Sequence, residues 1–192
     1  MGVLSELDIT DILKNNKSYI QRNDWEGLFN SLGTSTRPAI AEYILNRTKI
    51  PLMDRLKNIP SCLFQGLDME SIVIPGHIKS IGAGAFKDSK LKEVIIETGV
   101  QTLGKECFAN CEQLNKIDLA DTITNIPSLC FSGDIELKKV FLPDGVRTIG
   151  SGAFNECDDV EIVANFRDKD KIRAKKSDYE FLRKHLKFTH ND

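Results

Sequence analysis

The chain has 192 residues, 41% of them hydrophobic and 28% charged, with a formal net charge of −2. This is the composition of an ordinary globular protein. The near balance of charge predicts neither nucleic-acid nor membrane binding, and no stretch approaches the ~20 apolar residues that a spanning helix needs.

The chain opens MGVLSELDITDILKNN, with acidic residues and no apolar h-region, so a secretory signal is not expected and the protein reads as cytoplasmic. Met1-Gly2 starts as a myristoylation motif does, but Glu6 stands where that motif needs Ser or Thr. Asn16-Lys17-Ser18 and Asn46-Arg47-Thr48 fit the glycosylation triplet, which has meaning only for an exported chain. Within residues 1–51 three apolar faces have helical spacing: Ile9, Ile12 and Leu13; Trp25, Leu28, Phe29 and Leu32; Ile40, Tyr43 and Ile44. Asp24 is placed to cap the second helix and Gly33 to end it, while Thr36 before Arg37-Pro38 marks a third start with proline in the first turn. A helical cap over the end of the following region is the expectation, with a separate partner-binding role as the alternative.

Residues 52–165 are repetitive. Phe86, Phe108, Phe131 and Phe154 recur every 22 or 23 residues with the same flanks, the mark of stacked repeat units. The copies are MESIVIPGHIKSIGAGAFKDSK from Met69, LKEVIIETGVQTLGKECFANCEQ from Leu91, LNKIDLADTITNIPSLCFSGDIE from Leu114 and LKKVFLPDGVRTIGSGAFNECDD from Leu137. LKNIPSCLFQGLD from Leu56 is a partial unit, and VEIVA from Val160 opens a further strand and stops. Leu91, Val94 and Ile96 and their equivalents have the spacing of a short strand that points its apolar side chains inward. Ile78, Val100, Ile123 and Val146, then Ile81, Leu103, Ile126 and Ile149, then the phenylalanines, fill the coil interior in layers. One coil cannot bury that much apolar surface, whereas four stacked coils can. Gly82, Gly104 and Gly150 share a slot with Pro60 and Pro127, and proline holds φ near roughly −65°, so close packing rather than positive φ is expected there.

From Phe166 onward nine Lys and Arg stand against five Asp and Glu, a net of +4. Such a tail invites a nucleic-acid reading. However, Asp168, Asp170, Asp178 and Glu180 are interleaved, and Tyr179, Leu182 and Leu186 share one helical face. A closing helix with a solvated basic side over residues 166–192 is the simpler expectation.

Chemistry-bearing motifs are scarce. No Walker-type glycine loop, nucleophile elbow or HExxH pattern occurs, and His77, His185 and His190 read as solvated, each without a Cys or Ser partner in repeat register. Neither an enzyme nor a cofactor is expected, and the Asp168-Lys169-Asp170 run reads as solvated charge. Cys107 and Cys130 occupy the slot of Ala85 and Ala153, and Cys111 and Cys157 the slot of Ser89 and Asp134. Coils stacked about 4.8 Å apart bring Cys107 and Cys130 within reach of a disulfide but leave Cys111 and Cys157 on the order of 10 Å apart. Free thiols are expected in a reducing compartment, and Cys107 with Cys111 lacks a second ligand pair for zinc.

Alternation along each strand turns every second side chain outward. One outward column reads Val73, Ile95, Asp118 and Phe141, and its neighbour reads Ser71, Glu93, Lys116 and Lys139. An apolar stripe beside mixed charge is what a protein interface looks like, with Phe141 as its anchor. The competing expectation is that the terminal helix folds back over Phe141, or that strand propensity alone selects these residues.

The pattern LxxVxLPDGVxxIGxxAFxxC, nearly complete from Leu137 to Cys157, resembles the BspA-type leucine-rich repeat family over roughly Leu56 to Ala164. The resemblance implies a right-handed solenoid, and with the helical faces read at either end the expected fold is α/β: a leucine-rich-repeat solenoid with a short parallel sheet, a helical N-terminal cap and a C-terminal helix. It also implies protein recognition, on bacterial and protozoan surfaces and in phage-encoded proteins. The expected function is therefore a non-enzymatic protein-protein interaction module inside a cell. Its concrete form is a phage or mobile-element protein that binds and inhibits a host protein, so that the host cytoplasm is its location. A surface adhesin and a regulatory subunit that docks to an enzyme through the N-terminal helices are the alternatives, and the apolar column is also expected to support a homodimer.

Overall fold

The computed structural model describes residues 6–47, 52–165 and 172–189. Among the described residues five helices lead, α1 (Glu6–Asn15), α2 (Lys17–Gln21), α3 (Trp25–Ser31), α4 (Arg37–Arg47) and α5 (Leu52–Arg55). Asp24 accepts the Gly27 N–H at 2.9 Å and so caps α3. Trp25, Leu28, Phe29, Ile40 and Ile44 join the core of the repeats. The cap is fastened by polar contacts as well: the Arg37 guanidinium, nearly buried, donates to the carbonyls of Phe29 and Ser61, both at 2.7 Å.

The repeats then alternate long and short strands: β1 (Asn58–Ile59), β2 (Ser71–Ile74), β3 (Ser80–Ile81), β4 (Glu93–Ile96), β5 (Thr102–Leu103), β6 (Lys116–Asp118), β7 (Asn125–Ile126), β8 (Lys139–Phe141), β9 (Thr148–Ile149) and β10 (Glu161–Asn165). Coil 1 spans residues 69–90, coil 2 residues 91–113, coil 3 residues 114–136, coil 4 residues 137–159, and coil 5 begins at 160. All pairing between successive coils is parallel. β2, β4 and β6 form one ladder and β8 and β10 begin another, the two meeting without strand pairing between β6 and β8. The short strands stack on the opposite side of each coil.

Between the two strand sets lies the core. The phenylalanine slot is filled five times, because Phe64 of the partial coil joins the series, and successive ring centroids lie 5.2, 5.3, 5.9 and 5.4 Å apart. All five are buried, and each such burial stabilises by about 1.5–3 kcal/mol. No coil owns this stack, so neighbouring coils stand or fall together.

Gly82, Gly104 and Gly150 take no positive φ, as the shared proline slot requires. A Cβ on Gly104 would lie 2.4 Å from the Ala83 nitrogen, so the previous coil's backbone leaves no room for one. Gly82 and Gly150 also donate their N–H to Ile59 and Ile126 of the preceding coil, at 2.8 and 2.7 Å. Pro127 has no N–H to give, and the short ladder breaks there, between β5 and β7. Positive φ falls elsewhere, two residues to either side of each phenylalanine. It is imposed on Cys62, Glu106 and Leu129 on one side and on Asp88, Asn110 and Glu156 on the other. These turns are held by stacking, which forces a conformation that costs a non-glycine residue free energy.

The C-terminal end differs from expectation. β10 does not end the ladder: α6 (Tyr179–His185) leads into a further strand, β11 (Leu186–Thr189), which pairs parallel with β10. Leu186 therefore belongs to a strand and not to a helical face, and it sits opposite Ile162. His185 is a second correction, since it is buried rather than solvated. Its Nδ1–H donates to the Val160 carbonyl at 2.8 Å and its ring stacks on Phe181. Both outcomes have one cause: the last coil exposes apolar side chains that require covering, and α6 and β11 supply the cover. Leu182 is buried there. Met1-Gly2, Thr48, Asp168, Asp170 and His190 lie outside the described residues, as does the side chain of Tyr179.

Candidate functional site: the outward face of the long strands

Pairing register lines up the outward side chains. Val73 lies beside Ile95 and Ile95 beside Asp118, while Ser71, Glu93 and Lys116 form the neighbouring column. Across the gap, Lys139 pairs with Glu161, Phe141 with Val163, and Val163 with Lys187. Strand β4 shows the alternation that produces this face: Glu93 and Ile95 exposed, Val94 and Ile96 buried.

The apolar members of the column are open to solvent. Val73 is 51% exposed, Ile95 36% and Phe141 59%. The terminal helix does not cover Phe141; it closes the end of the solenoid instead. Exposed valine, isoleucine and phenylalanine thus share one column, interrupted at Asp118, and aligned apolar side chains of this kind are what a protein interface offers.

Charges around the stripe are unequally satisfied. Lys139 and Lys187 both approach the single carboxylate of Glu161, at 3.5 and 3.4 Å, which among the described residues leaves one positive charge in excess at that end. Lys139 Nζ also lies 5.0 Å from the centroid of the Phe141 ring, an exposed cation–π contact. Lys116 and Asp118 sit 3.9 Å apart on the same strand. Glu93 has no ion-pair partner among the described residues. The face is thus negative toward coil 2, neutral at coil 3 and positive toward coils 4 and 5.

Sequence reasoning stopped this column at Phe141, whereas the strands carry it on to Val163 and Lys187. Val163 points outward yet is only 5% exposed, so it adds little contact area. Ile135, 52% exposed, was also missed. Its signal was available: it fills a turn slot that holds Lys90, Glu112 and Asp158 in the other coils.

Three of the buried thiols are poorly reactive. Burial pushes Cys111 and Cys157 up to about 12, with the charge of nearby Asp134 adding to it, and burial raises Cys130 as well. Such thiols stay protonated at neutral pH and are poor nucleophiles. The sulfurs of Cys107 and Cys130 lie 3.5 Å apart, while all five cysteines are free. Among the described residues no group of three His, Cys, Asp or Glu could hold a metal ion, and no helix is long and apolar enough to cross a membrane.

Comparison with known proteins places this geometry. The family model for the BspA type leucine rich repeat region matches residues 44–175 in six copies. A leucine-rich repeat protein from Bacteroides ovatus has a similar structure, with 34% identity and a TM-score of 0.55 over 67% of this chain and 35% of that one. A leucine rich cell surface protein from Faecalibacterium prausnitzii is 31% identical, with a TM-score of 0.48 over 50% of this chain and 26% of that one. The pneumococcal vaccine antigen PcpA shares the fold at 20% identity and a TM-score of 0.51, over 69% of this chain and 42% of that one. The chain therefore spans about a third of the length of the Bacteroides protein. No curated protein sequence matches it at a significant level.

Proposed function

This chain belongs to the BspA-type leucine-rich repeat family, and we propose that it is a non-enzymatic protein-binding module whose contact surface is the outward face of the long strands. One observation carries the reading. Val73, Ile95 and Phe141 stand exposed in one column, flanked by Glu93, Lys116, Asp118 and Lys139, on a rigid scaffold that needs none of them for its core. A preformed surface loses little conformational freedom on binding, and an exposed aromatic flanked by charge is how a binding hot spot is built.

In its specific form the reading is a phage or mobile-element protein in the host cytoplasm that covers the working surface of a host protein and blocks it by stoichiometric occupation. The free thiols, including the close pair Cys107 and Cys130, suit a reducing compartment. This form rests on the family's range of uses.

The test is affinity capture from a host lysate with the native chain and with the Ile95→Glu, Phe141→Glu double variant, identified by mass spectrometry. The expected result is a partner present with the native chain and lost with the variant, at unchanged thermal unfolding. Identical captures would remove this face from consideration. A partner lost on deletion of α1 to α4 instead would move the function to the helical cap.

A further inference from the structure

The charge order along the face is self-complementary, and we propose that a second copy of this chain occupies it, face to face, in a weak two-fold dimer that a tighter partner displaces. The inference rests on the reading above that this face binds protein.

A two-fold axis lying in the interface parallel to the strands keeps the columns together and reverses the order of the coils. Centred on coil 3, it sets coil 2 of one copy on coil 4 of the other. Ile95 then meets Phe141 and Glu93 meets Lys139, and symmetry makes each contact twice. Glu93 has no ion-pair partner among the described residues, and Lys139 belongs to the lysine pair that shares the single carboxylate of Glu161. The unpaired carboxylate of coil 2 and the lysine excess of coils 4 and 5 therefore answer each other.

Other two-fold arrangements fare worse. An axis along the stacking direction through the Ile95 column would oppose Glu93 to Glu97, both exposed. Moving the first axis half a coil, to lie between coils 2 and 3, would press Ile95 against Asp118. In the favoured arrangement Lys116 and Asp118 sit over their own counterparts at the axis. The net charge there is zero and each lysine reaches the other copy's aspartate diagonally, but like charges directly opposite weaken the contact.

Size points the same way. The five long strands from β2 to β10, about 4.8 Å apart and each exposing a run of about 17 Å, offer on the order of 400 Å² per copy. The total falls below the roughly 1,200 Å² of stable complexes, so the dimer forms only at high protein concentration. Self-pairing then shields the apolar stripe and yields it to a better-fitting partner.

Sedimentation equilibrium of the full chain tests this. Wild type is expected to dimerise with a Kd of about 0.1 mM. Glu93→Lys sets lysine on lysine and Lys139→Glu sets carboxylate on carboxylate, and each alone is expected to weaken the dimer about tenfold or more. An equimolar mixture of the two variants restores opposite charges at both contacts and returns to within about threefold of wild type. A second couple, Ile95→Glu and Phe141→Lys, gives the same pattern through the apolar contact and serves if Lys139→Glu, which lies beside Glu161, fails to fold by circular dichroism. Wild type that stays monomeric to about 1 mM, or folded mixtures no tighter than their components, would overturn the proposal. Neither outcome touches partner capture, which a monomer performs as well, whereas failed capture with an intact dimer sinks only the earlier reading.

Discussion

The carboxylate of Asp134 accepts a hydrogen bond from the backbone N–H of Cys111, one coil earlier, at 2.8 Å, while its second oxygen is buried without a partner. Burial pushes this acid up to about 9, against the opposing effect of the Cys111 bond. A carboxyl that stays protonated in the folded chain but ionises near pH 3.8 when unfolded binds more protons folded than unfolded across that window. Its linkage contribution is fully present below about pH 4 and is lost as pH rises toward 9.

Asp134→Ser is accordingly expected to raise stability by about 1–3 kcal/mol at pH 7.5. Ser89 already fills the equivalent slot with its hydroxyl 3.2 Å from the next coil's Cys111 sulfur, and the Cys111 N–H retains the Phe108 carbonyl as acceptor. Urea unfolding between pH 5 and 9 checks it: wild type should lose stability with rising pH more steeply than the variant. Parallel pH profiles would show that Asp134 is not the group responsible.

Phe108 stacks between Phe86 and Phe131, at centroid distances of 5.3 and 5.9 Å. Phe108→Ala removes a ring from the middle of the stack and is expected to cost about 3–5 kcal/mol. Because the rings join successive coils, hydrogen exchange should quicken in coils 1 and 3 as well as in coil 2. Quickening confined to coil 2 would show that the coils are less coupled than the stack implies.

Arg37 fastens the cap. Arg37→Ala leaves the carbonyls of Phe29 and Ser61 without this donor, at an expected cost of about 2–4 kcal/mol. Arg37→Lys should recover little, because a single ammonium cannot copy the fork that reaches both. Limited proteolysis should cut first between α3 and α4, and an unchanged cleavage pattern would show that apolar packing alone holds the cap.

Gly104→Ala sets a Cβ against the Ala83 nitrogen, where only 2.4 Å is free. The coils must move apart, and thermal unfolding should report a loss of about 1–3 kcal/mol. Leu129→Gly, at a φ of 57°, should be neutral or stabilising, because glycine accepts that conformation without a steric cost. A larger loss at Leu129 than at Gly104 would reverse the assignment of the two turn positions.

Much of this was legible in the residues. A repeated phenylalanine at constant spacing forces a repeated environment, so the stack, the inward strand positions and the outward column of Val73, Ile95, Asp118 and Phe141 follow from periodicity. The glycines at 82, 104 and 150 were readable for the same reason, since proline occupies their slot twice. The six non-glycine positions of forced positive φ in the repeats were not, because residues as different as Leu129 and Glu106 stand there and the geometry comes from neighbouring coils.

The sequence by itself determined the coil, its interior layers and its outward face, because each depends on local alternation repeated four times. Only the tertiary structure decided how the ends are closed and where the ladders part. β11, buried His185, the Arg37 clasp and the gap between β6 and β8 arise where the repeat stops or is imperfect. There the unpaired backbone and bare apolar surface of a particular coil select whichever segment can cover them, and no periodic signal records that choice.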